Sequence, residues 1–69
     1  MITVFTWSNG HQLAFEPVGD RVNIQKKWKD EMEFSDVFQS GSTISATGLC
    51  DYIGAMVKSW GVAKVEVLE

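Results

Sequence analysis

The side chains with the widest chemical repertoire occur singly in this chain: one histidine, His11, and one cysteine, Cys50. Nucleophilic catalysis needs a thiol or hydroxyl beside a base, and a third group to orient that base. His11 follows a turn signal and Cys50 falls early in a helical pattern, so nothing in the spacing brings them together. A tetrahedral zinc site takes about four Cys or His ligands, which two singletons do not supply. No GxGxxG or GxxxxGK[ST] pattern offers backbone N–H groups to a phosphate. The acids Asp30, Glu31, Glu33 and Asp36 crowd together, but their spacing matches no calcium loop, and a solvated acidic turn or strand is the simpler reading. The expectation is a non-enzymatic protein with no metal and no cofactor.

One cluster points to a different chemistry. Arg21, Lys26, Lys27 and Lys29 supply four of the six cationic side chains, and Trp28 sits among the last three. Interleaved cations and aromatics hold single-stranded nucleic acid through phosphate contacts and base stacking, so such a binder is the alternative function. Three features oppose it. The formal net charge is −3, whereas phosphate binding draws on a surplus of Lys and Arg. Trp28 alternates with Val22 and Ile24, which turns it toward a core. The acids that follow repel a phosphate chain. Lysines on a sheet edge also discourage strand-to-strand aggregation.

The elements that position these residues begin with VFTWSNGHQLAF, residues 4–15, where Asn9-Gly10 separates two alternating runs. Both residues tolerate positive φ, which makes a hairpin. Two loops are open. A two-residue loop pairs Ser8 with His11 and puts Ile2, Val4, Leu13 and Phe15 on one face, with Phe5 and Trp7 on the other. A three-residue loop, Ser8-Asn9-Gly10, pairs Trp7 with His11. It gathers Phe5, Trp7, Leu13 and Phe15 on one face and leaves Ile2, Val4, Thr6, Gln12, Ala14 and Glu16 on the other. Burying a large side chain contributes roughly 1.5–3 kcal/mol, so the aromatic face favours the three-residue loop.

A second turn is expected at Val18-Gly19-Asp20, with Pro17 suited to a strand end. RVNIQKKW then reads as a third strand, with Val22, Ile24 and Trp28 inward and Arg21, Asn23, Gln25 and Lys27 outward. A turn at Lys29-Asp30-Glu31 would place Trp28 opposite Met32 and Lys27 opposite Glu33, giving a fourth strand over 32–38. A short helix ending near Gly41 is the alternative. In SATGLCDYIGAMVKSWG, Leu49, Tyr52, Ile53, Met56, Val57 and Trp60 recur at helical spacing. Ser45 or Thr47 can cap this helix, Asp51 lies early, Lys58 lies in the last turn and Gly61 supplies the stop. Gly48, Ala55 and Ser59 form a flank of small residues, read as a solvated face. Beyond Gly61 the period becomes two: Ala63, Val65 and Val67 against Lys64, Glu66 and Leu68. That final strand is expected beside the first, in parallel, through a right-handed crossover.

The fold expected over residues 1–69 is therefore a single small α+β domain. It has a mostly antiparallel sheet of four to five strands and one helix across one face, in the order β-β-β-(β)-α-β. At 69 residues, 45% of them hydrophobic, the chain can build one core and little more. No stretch reaches the ~20 apolar residues of a membrane span, and no signal-peptide pattern opens the chain. With a lone cysteine, a reducing cytoplasm is the expected location. Leu68-Glu69 matches a dipeptide common before purification tags and is assigned no role.

One helix covers one face of a sheet. Whichever hairpin loop forms, Ile2 and Val4 or Phe5 and Trp7 occupy the other. These four residues are the candidate partner-binding set of an inhibitor, adaptor or accessory subunit acting through an apolar sheet face or edge. Self-association through that patch or through an edge strand, as a homodimer, is the simplest form. A compact acidic chain of this size also suits a phage or plasmid product. No residue carries that last association.

Overall fold

Gly10 decides the architecture. In a computed structural model of the chain, which describes residues 1–38 and 43–69, Gly10 has φ +92° and its N–H donates to the Trp7 carbonyl (3.0 Å). The Trp7 N–H donates to the His11 carbonyl (3.0 Å), and the His11 N–H to Asn9 Oδ1 (2.9 Å). The loop is thus the three-residue Ser8-Asn9-Gly10. Strand β1 (Ile2–Thr6) pairs antiparallel with β2 (Gln12–Val18) in the register Phe5 opposite Leu13 and Val4 opposite Ala14. A tight turn at Gly19-Asp20 leads to β3 (Arg21–Lys27), which pairs with β2 along its whole length.

This register sends one set of large side chains inward. Trp7, Leu13, Phe15 and Ile24 form the buried core, with Phe5, Val22, Trp28 and Ile44 packed against it. Helix α1 (Ala46–Trp60) closes that side with Leu49, Tyr52, Ile53, Met56 and Trp60 of the expected stripe, whereas Val57 turns out to the exposed flank. Ser45 is its N-cap, accepting from the Gly48 N–H (3.2 Å). At the other end the Gly61 N–H reaches back to the Val57 carbonyl (2.8 Å) with φ +87°, and Lys58 lies in the last turn, where it complements the helix dipole. Asp51 falls beyond the first turn, so it does not play the early-turn role expected of it. Gly48 is used for close approach: a Cβ there would come within 2.7 Å of Ile44.

The order across the sheet is β4-β3-β2-β1-β6, with β5 also paired to β3. Here β4 is Ser35–Asp36, β5 is Ile44–Ser45 and β6 is Lys64–Leu68. The antiparallel α+β fold is as expected, with six strands among the described residues, two of them only two residues long. Three details differ. The last strand lies beside β1 but runs antiparallel to it. The cause is the strand the helix follows: β4 and β5 both run antiparallel to β3 and hence opposite to β1, so the strand after the helix comes back in that same direction. The fourth strand shrinks from 32–38 to Ser35–Asp36, and its register puts Lys26 opposite Ser35 and Gln25 opposite Asp36. Met32, 90% exposed, therefore does not stack on Trp28, and Lys27 does not pair with Glu33. The alternative helix ending near Gly41 runs into residues 39–42, outside the described residues.

Gly10 is constrained twice, because a Cβ at this positive φ would also meet the Lys29 Cβ at 2.9 Å. Gly10→Val should therefore lower stability by at least about 2 kcal/mol, a large share of what so small a core provides. Urea unfolding followed by tryptophan fluorescence measures this, and an unchanged midpoint would place the turn elsewhere.

Candidate functional site

The sheet has one face under the helix and one without. Alternation along each strand puts Ile2 and Val4 of β1, Ala14 and Glu16 of β2, Asn23 and Gln25 of β3 and Leu68 of β6 on the uncovered face. Glu66, Val4, Ala14, Gln25 and Asp36 form one straight row across five strands. The smallest of these, Ala14, sits at the centre of the row. Its short side chain leaves a hollow, which Val4, Ile2 and Leu68 flank from one side. Phe34, from the segment between β3 and β4, leans in from the other. The result is an open concavity of about 260 Å³, apolar along its floor, with Glu16, Asn23 and Gln25 also lining it. Two polar side chains of this face are held in place: Gln25 Nε2 donates to Asp36 Oδ1 (3.2 Å), and Gln12 Nε2 to Thr6 Oγ1 (3.0 Å).

The four candidate partner residues are divided between the two faces. Ile2 and Val4 line the concavity. Trp7 does not: it is 2% exposed, its indole N–H donates to the Gly61 carbonyl (2.8 Å), and its ring meets Trp60 edge-on. Phe5 packs edge-on against Phe15. Phe5 and Trp7 leave the candidate set. The three-residue loop, the one burial energy favours, turns both to the helix side, where Trp7 is buried and Phe5 packs against the core, and Ile2 and Val4 remain on the open face. Ala14, Glu16, Asn23 and Gln25 share the face of Val4 by simple alternation. Phe34 and Leu68 join the site without a signal in the sequence. Phe34 belongs to a segment too irregular for a strand pattern, and Leu68 lies in a terminal dipeptide that resembles a tag remnant.

The remaining chemical residues do not converge. His11 packs among Trp28 and Trp60 (ring centroids 4.7 and 4.8 Å), and its Nδ1 accepts from the Lys29 N–H (3.1 Å). Cys50 is exposed near the start of the helix, about 15 Å along the axis from Trp60 at a helical rise of ~1.5 Å per residue. Among the described residues no three His, Cys, Asp or Glu side chains gather as a metal site would require. The cations are scattered too. Arg21 binds Thr43 through its side chain and carbonyl (2.7 and 2.8 Å), about 20 Å along β3 from Lys27 at ~3.3 Å per residue. Lys26 lies on the helix side, its Nζ 5.0 Å from the Trp28 ring and 2.9 Å from Glu31. Lys27 lies on the uncovered face opposite Gln12, and Lys29 beside the hairpin loop.

Comparison with known protein families, with curated proteins and with solved structures finds no match.

Glu31 closes the turn that follows β3. Its Oε1 accepts from the Trp28 N–H (2.7 Å), and both carboxylate oxygens accept from Lys26 Nζ (2.9 and 3.1 Å). The Trp28 N–H first, and then Lys26, hold the carboxyl below the usual carboxylate range. A lowered folded-state value stabilises the protein above the ordinary carboxylate range, and that contribution is lost as pH falls through the folded value. Glu31→Gln should therefore be less stable than the wild type at neutral pH, with the gap closing on acidification. Thermal melts across the acid range check this. A gap independent of pH would mean the charge has no part in holding the turn.

Proposed function

We propose that this chain is a non-enzymatic protein-binding module that uses the uncovered face of its sheet. The observation that carries the reading is the hollow over Ala14, walled by Val4, Ile2, Leu68 and Phe34. Interfaces draw most of their energy from a few large apolar side chains seated in such hollows and ringed by polar groups that exclude water. A concavity of about 260 Å³ suits one such anchor from a partner protein. Its partners in the surrounding polar ring are Glu16, Asn23 and Gln25. With Glu16 beside the hollow and a net charge of −3, the complementary surface is basic around its anchor.

The setting is consistent with this use. Among the described residues no helix is long and apolar enough to cross a membrane. An exposed single thiol, Cys50, suits a reducing compartment such as the cytoplasm. The nucleic-acid alternative, built on Arg21, Lys26, Lys27 and Lys29, loses the continuous cationic track that it needs.

Selection from a displayed library of random peptides tests the reading. Selected peptides should share one large apolar residue flanked by Lys or Arg. Val4→Lys should weaken them by at least about tenfold, the loss typical of an interface hot spot. Asp51→Ala, on the far side of the molecule, should leave them unchanged. Peptides insensitive to Val4→Lys would place the binding surface elsewhere.

A further inference from the structure

We infer that β6 is a pairing edge for a second copy of this chain, joined to it antiparallel about a two-fold axis at Val65. The strand pairs with β1 on one side only, and among the described residues its outer edge has no partner. All five of its residues are exposed, Val65 at 52% and Val67 at 56%. Edges that must stay single carry proline, a bulge, inward-pointing charge or unmatched lysines. KVEVL has no proline, no glycine and β-branched residues on its inward-pointing side, and its one lysine, Lys64, is matched by Glu66 two residues on. The opposite side of the sheet is treated differently, since β3 is capped by the two short strands β4 and β5.

Charge selects the occupant and the register. Two copies related by a two-fold axis normal to the sheet must centre on one residue. Centring on Lys64 or Glu66 sets like charges opposite each other, which is unfavourable. Centring on Val65 sets Lys64 opposite Glu66 of the second copy, twice, with the two Val65 side chains between them. Residues directly opposite share a face, so the same register sets Val67 against Ala63 and Leu68 against Val62. Val62 is 89% exposed in the single chain, with no cover of its own.

The helix leaves room for this neighbour. Its backbone runs close to β3 and β5, at the far side of the sheet, and not to β6. Val65 and Val67 are consequently bare on the helix side. Pairing two copies would place their valines side by side in one strip, flanked by the two helices. The surface involved is distinct from the hollow over Ala14, apart from Leu68, which borders both.

Light scattering coupled to size exclusion, with sedimentation equilibrium for affinity, tests the inference on the whole chain. The wild type should be dimeric. Lys64→Glu and Glu66→Lys should each weaken the dimer at least about tenfold, because every cross-strand ion pair becomes a like-charge pair. The double exchange Lys64→Glu/Glu66→Lys should restore it to within about threefold, since opposite charges again face each other. In a Cys50→Ser background, Val65→Cys should form a disulfide-linked dimer on mild oxidation, because opposed Cα atoms in a ladder lie within disulfide reach. Circular dichroism confirms that each variant is folded. A monomeric wild type overturns the inference and leaves the peptide-binding reading of the open face to its own test. A dimer unaffected by the single exchanges but broken by Val4→Lys also overturns it, and would mean that the copies meet through the open face.

Discussion

The Trp7–His11 pairing is the constraint on which the rest of this structure depends. A two-residue loop would shift β1 by one residue against β2 and turn every side chain of that strand to the opposite face. With Gly10 at positive φ the shift does not occur, and Trp7 enters the core. Once there it does more than fill space. Its indole N–H holds the Gly61 carbonyl, so the end of the first hairpin is tied to the point where the helix stops and β6 begins. Trp60 meets Trp7, Trp28 and His11 edge-on in one aromatic group at that end of the molecule. A domain this small gains much of its core from that group, since aromatic side chains bury the most area per residue.

The same economy explains what is left uncovered. One fifteen-residue helix spans about 22 Å at ~1.5 Å per residue and cannot shelter a sheet of this width on both faces. It lies toward β3 and β5, where Ile44 and the cap at Ser45 hold its N-terminus. Two surfaces follow directly. The reverse of the sheet keeps Ile2, Val4 and Phe34 around a hollow, and the β6 edge keeps Val65 and Val67 bare. Both arise from a single geometric fact, and both are apolar where a solitary protein gains nothing from apolar surface.

Much of this was legible in the sequence because alternation is a strong signal when one face is buried. Phe5, Trp7, Leu13 and Phe15 could be grouped before any coordinates, on burial energy alone. The helix was legible for the same reason, its stripe being continuous from Leu49 to Trp60. Legibility failed where local pattern and tertiary context part company. Residues 29–38 carry four acids and little alternation, so nothing local announces that Glu31 folds back to accept the Trp28 N–H and Lys26. That fold-back moves the register by one and leaves Met32 in solvent. The two-residue β5 lies below the length at which periodicity can be seen, yet it is the strand that leads into the helix, and it already runs opposite to β1. The open-face site was half legible: Ile2 and Val4 follow from alternation, whereas Phe34 reaches the hollow only through the irregular segment.

The most direct measurement of the central claim is the set of nuclear Overhauser contacts made by Val4 and Trp7 in solution. The account predicts contacts from the Trp7 indole to Trp60 and Gly61, and from the Val4 methyls to Ala14 and to open-face neighbours such as Phe34. Contacts from the Val4 methyls to Ile53 or Met56, with the Trp7 indole free of Trp60, would contradict it. They would put the other face of the hairpin under the helix.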